Sequence, residues 1–223
     1  MAFLDTRERA VTSYDYIDIA SGTGVQRYYG AILSGATLAG GNEYVLTDQV
    51  VRSGTGGIYL KYYNPPDTNF NSLPEVVFEL PFNKPQTIKG TGVVNITTGM
   101  NGGSSGGDME AKGAVVLMKY DGTTTTEMVS GAYYHQELSV PSNGYRSKGH
   151  GIYLDIPETK FKNGDTLKLS VQMQVKNNSG DPMWWGFAAD PEGNDDLGVQ
   201  GRRLIYASGS TILRADIPYR IRL

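Results

Sequence analysis

The chain has 223 residues, 29 glycines, 15 tyrosines, no cysteine and a formal net charge of −3. The missing cysteines exclude a disulfide framework, and the absence of a basic surplus argues against a nucleic-acid partner. This length suffices to bury a sizeable core as one all-β unit, and no apolar run approaches the roughly 18 residues of a membrane helix, so no membrane partner is expected.

The opening run Met1-Ala2-Phe3-Leu4-Asp5-Thr6-Arg7-Glu8-Arg9 leads into no apolar stretch. No signal peptide is therefore expected, and folding in a reducing cytoplasm is. Phe3, Leu4 and Val11 could share one face of a short helical turn, with Asp5 and Arg9 paired at i,i+4. Residues 1–24 read as an N-terminal arm, with a frayed tail as the alternative. Phe3, Leu4, Arg7 and Arg9 are its candidate partner-binding residues. A single domain is expected over residues 25–223.

Strand signals then follow in series. Val25 to Leu33, Tyr44 to Val51 and Ile58 to Tyr63 are β-rich runs separated by glycine-rich turns. Val76, Phe78, Leu80 and Phe82 alternate onto one face. In Gln86 to Thr97, Ile88, Val94 and Ile96 point inward, and Gly90 and Gly92 suggest a bend or a close neighbouring backbone. Asn101-Gly102-Gly103-Ser104-Ser105-Gly106-Gly107-Asp108 has the composition of a flexible loop. Ala114 to Tyr120, Thr125 to Ser139 and Gly151 to Ile156 are further strands. The clearest is Thr166 to Lys176: Leu167, Leu169, Val171, Met173 and Val175 point one way, and Lys168, Ser170, Gln172, Gln174 and Lys176 the other. Thr211 to Leu223 repeats the pattern. Pro218 cannot donate to a ladder, so this last strand is expected at a sheet edge or at a bulge. Short strands at this turn spacing, with no core helix, predict an all-β fold: a jelly-roll-like antiparallel β-sandwich.

Candidate chemistry is sparse. Gly103-Ser104-Ser105-Gly106-Gly107 fits G-x-S-x-G, but the nucleophile elbow needs a strand before the serine and a helix after it, and no helix follows. His135 and His150 read as isolated, with no third ligand for a transition metal and no placed partner for acid–base work. Asp190, Glu192, Asn194 and Asp195 gather oxygen ligands in one loop, a weak calcium candidate set against a solvated acidic turn. No cofactor is expected. Trp184 and Trp185 are neighbours on a strand, so one could enter the core while the other anchors a sugar or a protein partner. Arg202 and Arg203 form a small basic spot suited to a partner's carboxylate.

Two features carry a resemblance. Asp155 to Leu169 places an aromatic residue, Phe161, before Asn163-Gly164-Asp165 and an alternating strand. That segment is similar to the strand lead-in of many jelly-roll domains, including carbohydrate-binding modules and tumour-necrosis-factor-like folds. The phrases Asp15 to Gly24, Lys84 to Gly90 and Asp216 to Ile221, in that order, resemble jelly-roll virion structural proteins of tailed viruses, of the capsid decoration or minor capsid kind. The resemblance implies a non-enzymatic protein located in the virion. It also implies a homo-oligomer, with a trimer favoured, that binds the major capsid protein or other virion proteins and stabilises the lattice. The alternative is a carbohydrate- or receptor-binding module of a phage tail or fibre, using Trp184 or Trp185. A glycan-active enzyme on the same fold is a third reading.

Overall fold

A computed structural model describes residues 23–33, 43–49, 58–63, 69–179, 183–189, 198–199, 202–203 and 213–220. The described strands are β1 (Thr23–Leu33), β2 (Glu43–Thr47), β3 (Ile58–Tyr63), β4 (Asn71–Ser72), β5 (Val76–Pro81), β6 (Gln86–Asn101) and β7 (Gly107–Tyr120). They continue with β8 (Thr125–Val140), β9 (Tyr145–Phe161), β10 (Thr166–Asn177), β11 (Met183–Ala188), β12 (Gly198–Val199), β13 (Arg202–Arg203) and β14 (Arg214–Arg220). No helix occurs among the described residues.

Twelve strands form one sheet in the order β3-β11-β6-β14-β1-β2-β5-β10-β7-β8, with β9 on the other edge of β6 and β4 on β10. Every pairing in it is antiparallel except one parallel bridge, Val45 to Glu79, between β2 and β5. The sheet curls until its two ends, β8 and β9, lie against each other. The result is the expected all-β sandwich of the jelly-roll-like class. Leu167, Leu169, Val171, Met173 and Val175 of β10 face inward and are buried. They share one core with Phe78, Ile88, Val94, Ile96, Phe187 and Ile217. The period-2 alternation read from β5, β6 and β10 is therefore the pattern of burial, and burial of one face is what fixes register.

Some boundaries move. Thr23 and Gly24 pair with Arg220 and Tyr219, so β1 takes the last two residues assigned to the arm. The rest of the arm, with Phe3, Leu4, Arg7 and Arg9, lies outside the described residues. β2 ends at Thr47, whose hydroxyl accepts the Gln49 N–H. β9 runs from Tyr145 to Phe161, so His150 is on a strand and not in a loop. The strand expected over Gly151 to Ile156 is its alternating middle; the flanks have few buried residues, and the ladder with β6 holds them extended. Asn101 to Asp108 is not a free loop. Gly106 N–H donates to Gly102, and Asn143 and Gly102 exchange bonds with Gly103 and Gly144, which docks this turn on the 141–144 turn.

Pro218 lies inside the sheet, in β14 between β1 and β6, and not at an edge. The bulge alternative holds: the β14–β6 register shifts between Asp216 and Tyr219, where Pro218 has no N–H to offer. Gly90 and Gly92 make room for the ring. A Cβ on Gly92 would lie 3.3 Å from Pro218 Cδ, and Gly90 has φ +118.

A second glycine is as constrained. Tyr133 of β8 crosses β7 over Gly113 and donates its hydroxyl to the Gln172 carbonyl of β10, 2.9 Å away. A Cβ on Gly113 would collide with that carbonyl and come within 2.6 Å of the Tyr133 hydroxyl. Gly113→Ala is expected to destabilise the fold by about 1–3 kcal/mol, because the nearest atom is backbone and cannot rotate away. Urea unfolding midpoints of the two chains measure it.

Candidate functional site

Where β8 meets β9 the two strands pack without a shared ladder. Gly131 lets Ile152 and Leu154 of β9 lie directly on β8. Polar side chains fill the adjoining part of this seam. Thr98 Oγ1 of β6 lies 2.8 Å from His135 Nδ1 and 3.0 Å from His150 Nε2. His135 Nε2 lies 3.0 Å from Glu137 Oε1. The two imidazole centroids are 6.0 Å apart, and the Tyr133 ring lies tilted against His150 with centroids 5.3 Å apart. The histidines read as isolated in the sequence are thus joined through Thr98, and no local spacing signals that link.

Donor and acceptor chemistry orders the chain of bonds. The Glu137 carboxylate only accepts, so His135 Nε2 carries the proton and Nδ1 accepts from the Thr98 hydroxyl. The Thr98 oxygen then accepts from His150 Nε2–H. In this order of bonds both rings are neutral. Burial pushes the His135 pKa down, against the pull of Glu137. His150 is pushed down to about 4, first by burial and then by His135 and Lys148. A hydroxyl, an imidazole and a carboxylate in series resemble nucleophilic machinery. Thr98, however, is 1% exposed and His135 0%, so this arrangement leaves the hydroxyl no substrate to meet. Among the described residues no three His, Asp or Glu side chains could hold a metal ion.

The outer face of the β10-β7-β8 layer is open. Ala114 and Ala132 are the floor of a groove of about 570 Å³ across β10, β7 and β8. Glu75, Lys112, Tyr134, Gln172 and Gln174 stand around it. Ser170 donates to Glu75 Oε1, and Gln172 Nε2 donates to the same oxygen at 3.4 Å. Gln174 Nε2 lies 3.2 Å from Ser72 Oγ. Lys112 Nζ sits 4.1 Å from the Phe70 ring centroid. Tyr134 donates to Glu110 Oε2 at 2.6 Å, which fixes its ring and holds the Glu110 carboxyl below its ordinary range.

The aromatic pair divides as strand alternation allows, with one ring in the core. Trp185 is 0% exposed and belongs to the core beside Phe187, so it is removed from any partner surface. Trp184 is half-buried and lies opposite Tyr62 and Asn101 in the sheet. Among the described residues the large exposed apolar side chains lie elsewhere: Tyr153 at 76%, Leu138 at 69%, Tyr134 at 45% and Val25 at 40%. Ser105 is exposed on its turn, and a strand, β7, follows it. Arg202 and Arg203 pair with Val199 and Gly198 in a separate two-stranded ribbon; their side chains lie outside the described residues. Asp190, Glu192, Asn194 and Asp195, the calcium candidates, also lie outside them.

No family model matches the chain, and no curated protein matches it. Solved structures do. An α-amino acid ester hydrolase is similar over 87% of this chain and 36% of its own, at 14% identity and TM-score 0.49. An aminopeptidase from the marine sediment archaeon Thaumarchaeota archaeon covers 86% and 36%, at 10% identity and TM-score 0.48. Eiger TNF from S. frugiperda covers 78% and 97%, at 8% identity and TM-score 0.29. The chain spans about a third of the length of the hydrolases it matches, and similarity this distant assigns no activity.

The unfolded chain protonates His150 near its ordinary value of 6.5, whereas the folded chain refuses the proton until about 4. The contribution of the neutral seam is therefore full above pH 6.5 and is lost as pH falls towards 4. Thermal melts between pH 7.5 and 4 are expected to show the melting temperature falling across this window, with a shallower fall in His150→Gln.

Proposed function

We propose that this chain is a non-enzymatic virion structural protein, a jelly-roll capsid decoration or minor capsid protein that docks on the capsid lattice and stabilises it. The observation that carries this reading is a discontinuous stripe of three exposed apolar side chains on the two strands that meet at the seam. Leu138 and Tyr134 project from β8, and Tyr153 from β9. Large apolar side chains left in water beside polar neighbours mark contact surfaces, and tyrosine suits such contacts. Lys148 reaches the Tyr134 carbonyl on the outer edge of β8 at 3.4 Å. A lysine guarding an edge strand discourages uncontrolled strand addition, so docking in this reading is by side chains and not by an added strand. The resemblance to virion proteins supplies the partner: the major capsid protein, engaged by an oligomer for which a trimer is favoured.

A second reading, a carbohydrate- or receptor-binding module of a tail or fibre, is favoured by the groove on the β10-β7-β8 face. Its polar walls suit a ligand and are separate from Trp184 and Trp185.

Leu138→Lys and Tyr153→Lys lie on exposed positions and are expected to fold normally. Each is expected to abolish co-sedimentation with empty capsids, and mass spectrometry of purified virions is expected to count hundreds of copies. Full co-sedimentation of both variants would remove the stripe from the docking surface, and a handful of copies would point to a tail part.

A further inference from the structure

The groove across β10, β7 and β8 is the site with the most definite ligand chemistry, and the geometry points to a neutral, hydroxyl-rich saccharide segment as its ligand. This inference rests on the second reading above and names its site and ligand class.

One carboxylate, one ammonium and two amides line the groove. Glu75 Oε1 receives both Ser170 and Gln172, which leaves its other oxygen for a ligand. A carboxylate only accepts, so Gln172 must turn its amino group to Glu75 and its carbonyl oxygen away. Gln172 and Gln174 occupy i and i+2 of β10, on the same face and about 7 Å apart along the strand. Two amides at that spacing offer donor and acceptor pairs along a line. Sugar hydroxyls are both donors and acceptors, and a short oligosaccharide presents them as a similar row.

The floor and the end wall suit the rest of a sugar. Ala114 and Ala132 add no bulk, so a flat ring can approach the sheet. Tyr134 offers a ring fixed by its bond to Glu110, against which the C–H face of a pyranose can stack. Lys112 is drawn towards the Phe70 ring and keeps donors for a hydroxyl or ring oxygen. Glu75 and Lys112 are opposite in sign and leave the groove without net charge, and the Glu75 carboxylate would repel an acidic sugar lying against it, which together favour neutral sugars. A volume of about 570 Å³ is within the range of small-molecule sites.

The test uses the full chain on an array of neutral hexose and N-acetylhexosamine oligosaccharides together with sialylated and uronic-acid glycans. The strongest binder is then followed by calorimetry. Binding to neutral glycans is expected, with Gln172→Ala and Glu75→Gln each weakening it at least about tenfold while thermal melts stay unchanged. Tyr153→Lys, outside the groove, is expected to bind glycan like the parent chain. No binding to any neutral glycan, binding confined to acidic ones, or parental affinity in both groove variants would overturn the inference. Retention on whole host cells without array binding would leave the receptor-binding reading standing and remove only the saccharide. Loss of capsid docking in the stripe variants is read separately from all of these outcomes.

Discussion

Strand β6 has both of its backbone edges occupied. It pairs with β9 from Gln86 to Asn101 along one edge, and with β14 and then β11 along the other. A sixteen-residue strand pinned on both sides cannot slip, because a one-residue shift would turn Ile88, Val94 and Ile96 out of the core. The cleared positions Gly90 and Gly92 admit Pro218 and set the bulge in β14. The far end of β6 carries Thr98 into the seam, where it joins histidines from two other strands. Closure of the sandwich, the position of its polar seam and the seating of Trp185 all follow from this strand.

The sequence displayed the parts of the fold that alternate. The faces of β10 and β5, and the inward residues of β6, were legible because one side is core and the other is water. Only the middle of β9, Gly151 to Ile156, alternates and was legible; its flanks have few buried residues and owe their extended conformation to the ladder with β6. Pro218 was legible as a disruption, but its place in mid-sheet depends on two glycines that lie over a hundred residues earlier. The turn at Asn101 to Asp108 looked loose by composition. Its glycines instead permit positive φ at Gly103, Gly106 and Gly107, which a tight docked turn requires.

The site was legible only in fragments. Gln172 and Gln174 were visible as outward residues, but nothing local indicated that Ala114 and Ala132 would lie beside them as a floor, since that juxtaposition is made by ladders between β10, β7 and β8. The tryptophans were legible as a pair pointing to opposite faces, but which of them enters the core is decided by the β11 register, which turns Trp185 inward beside Phe187. Among the described residues, Thr98 and His135 are closed inside the seam, whereas the amides and carboxylate of the groove and the side chains of Tyr134, Leu138 and Tyr153 face outward.

That separation is the central claim, and hydroxyl-radical footprinting of the chain, free and on purified particles, tests it most directly. The account predicts strong oxidation of Tyr134, Leu138 and Tyr153 in the free chain, suppressed on the particle, with Trp185 protected in both. Equal oxidation of those three residues in the two states, or oxidation of Trp185 in the folded free chain, would contradict it.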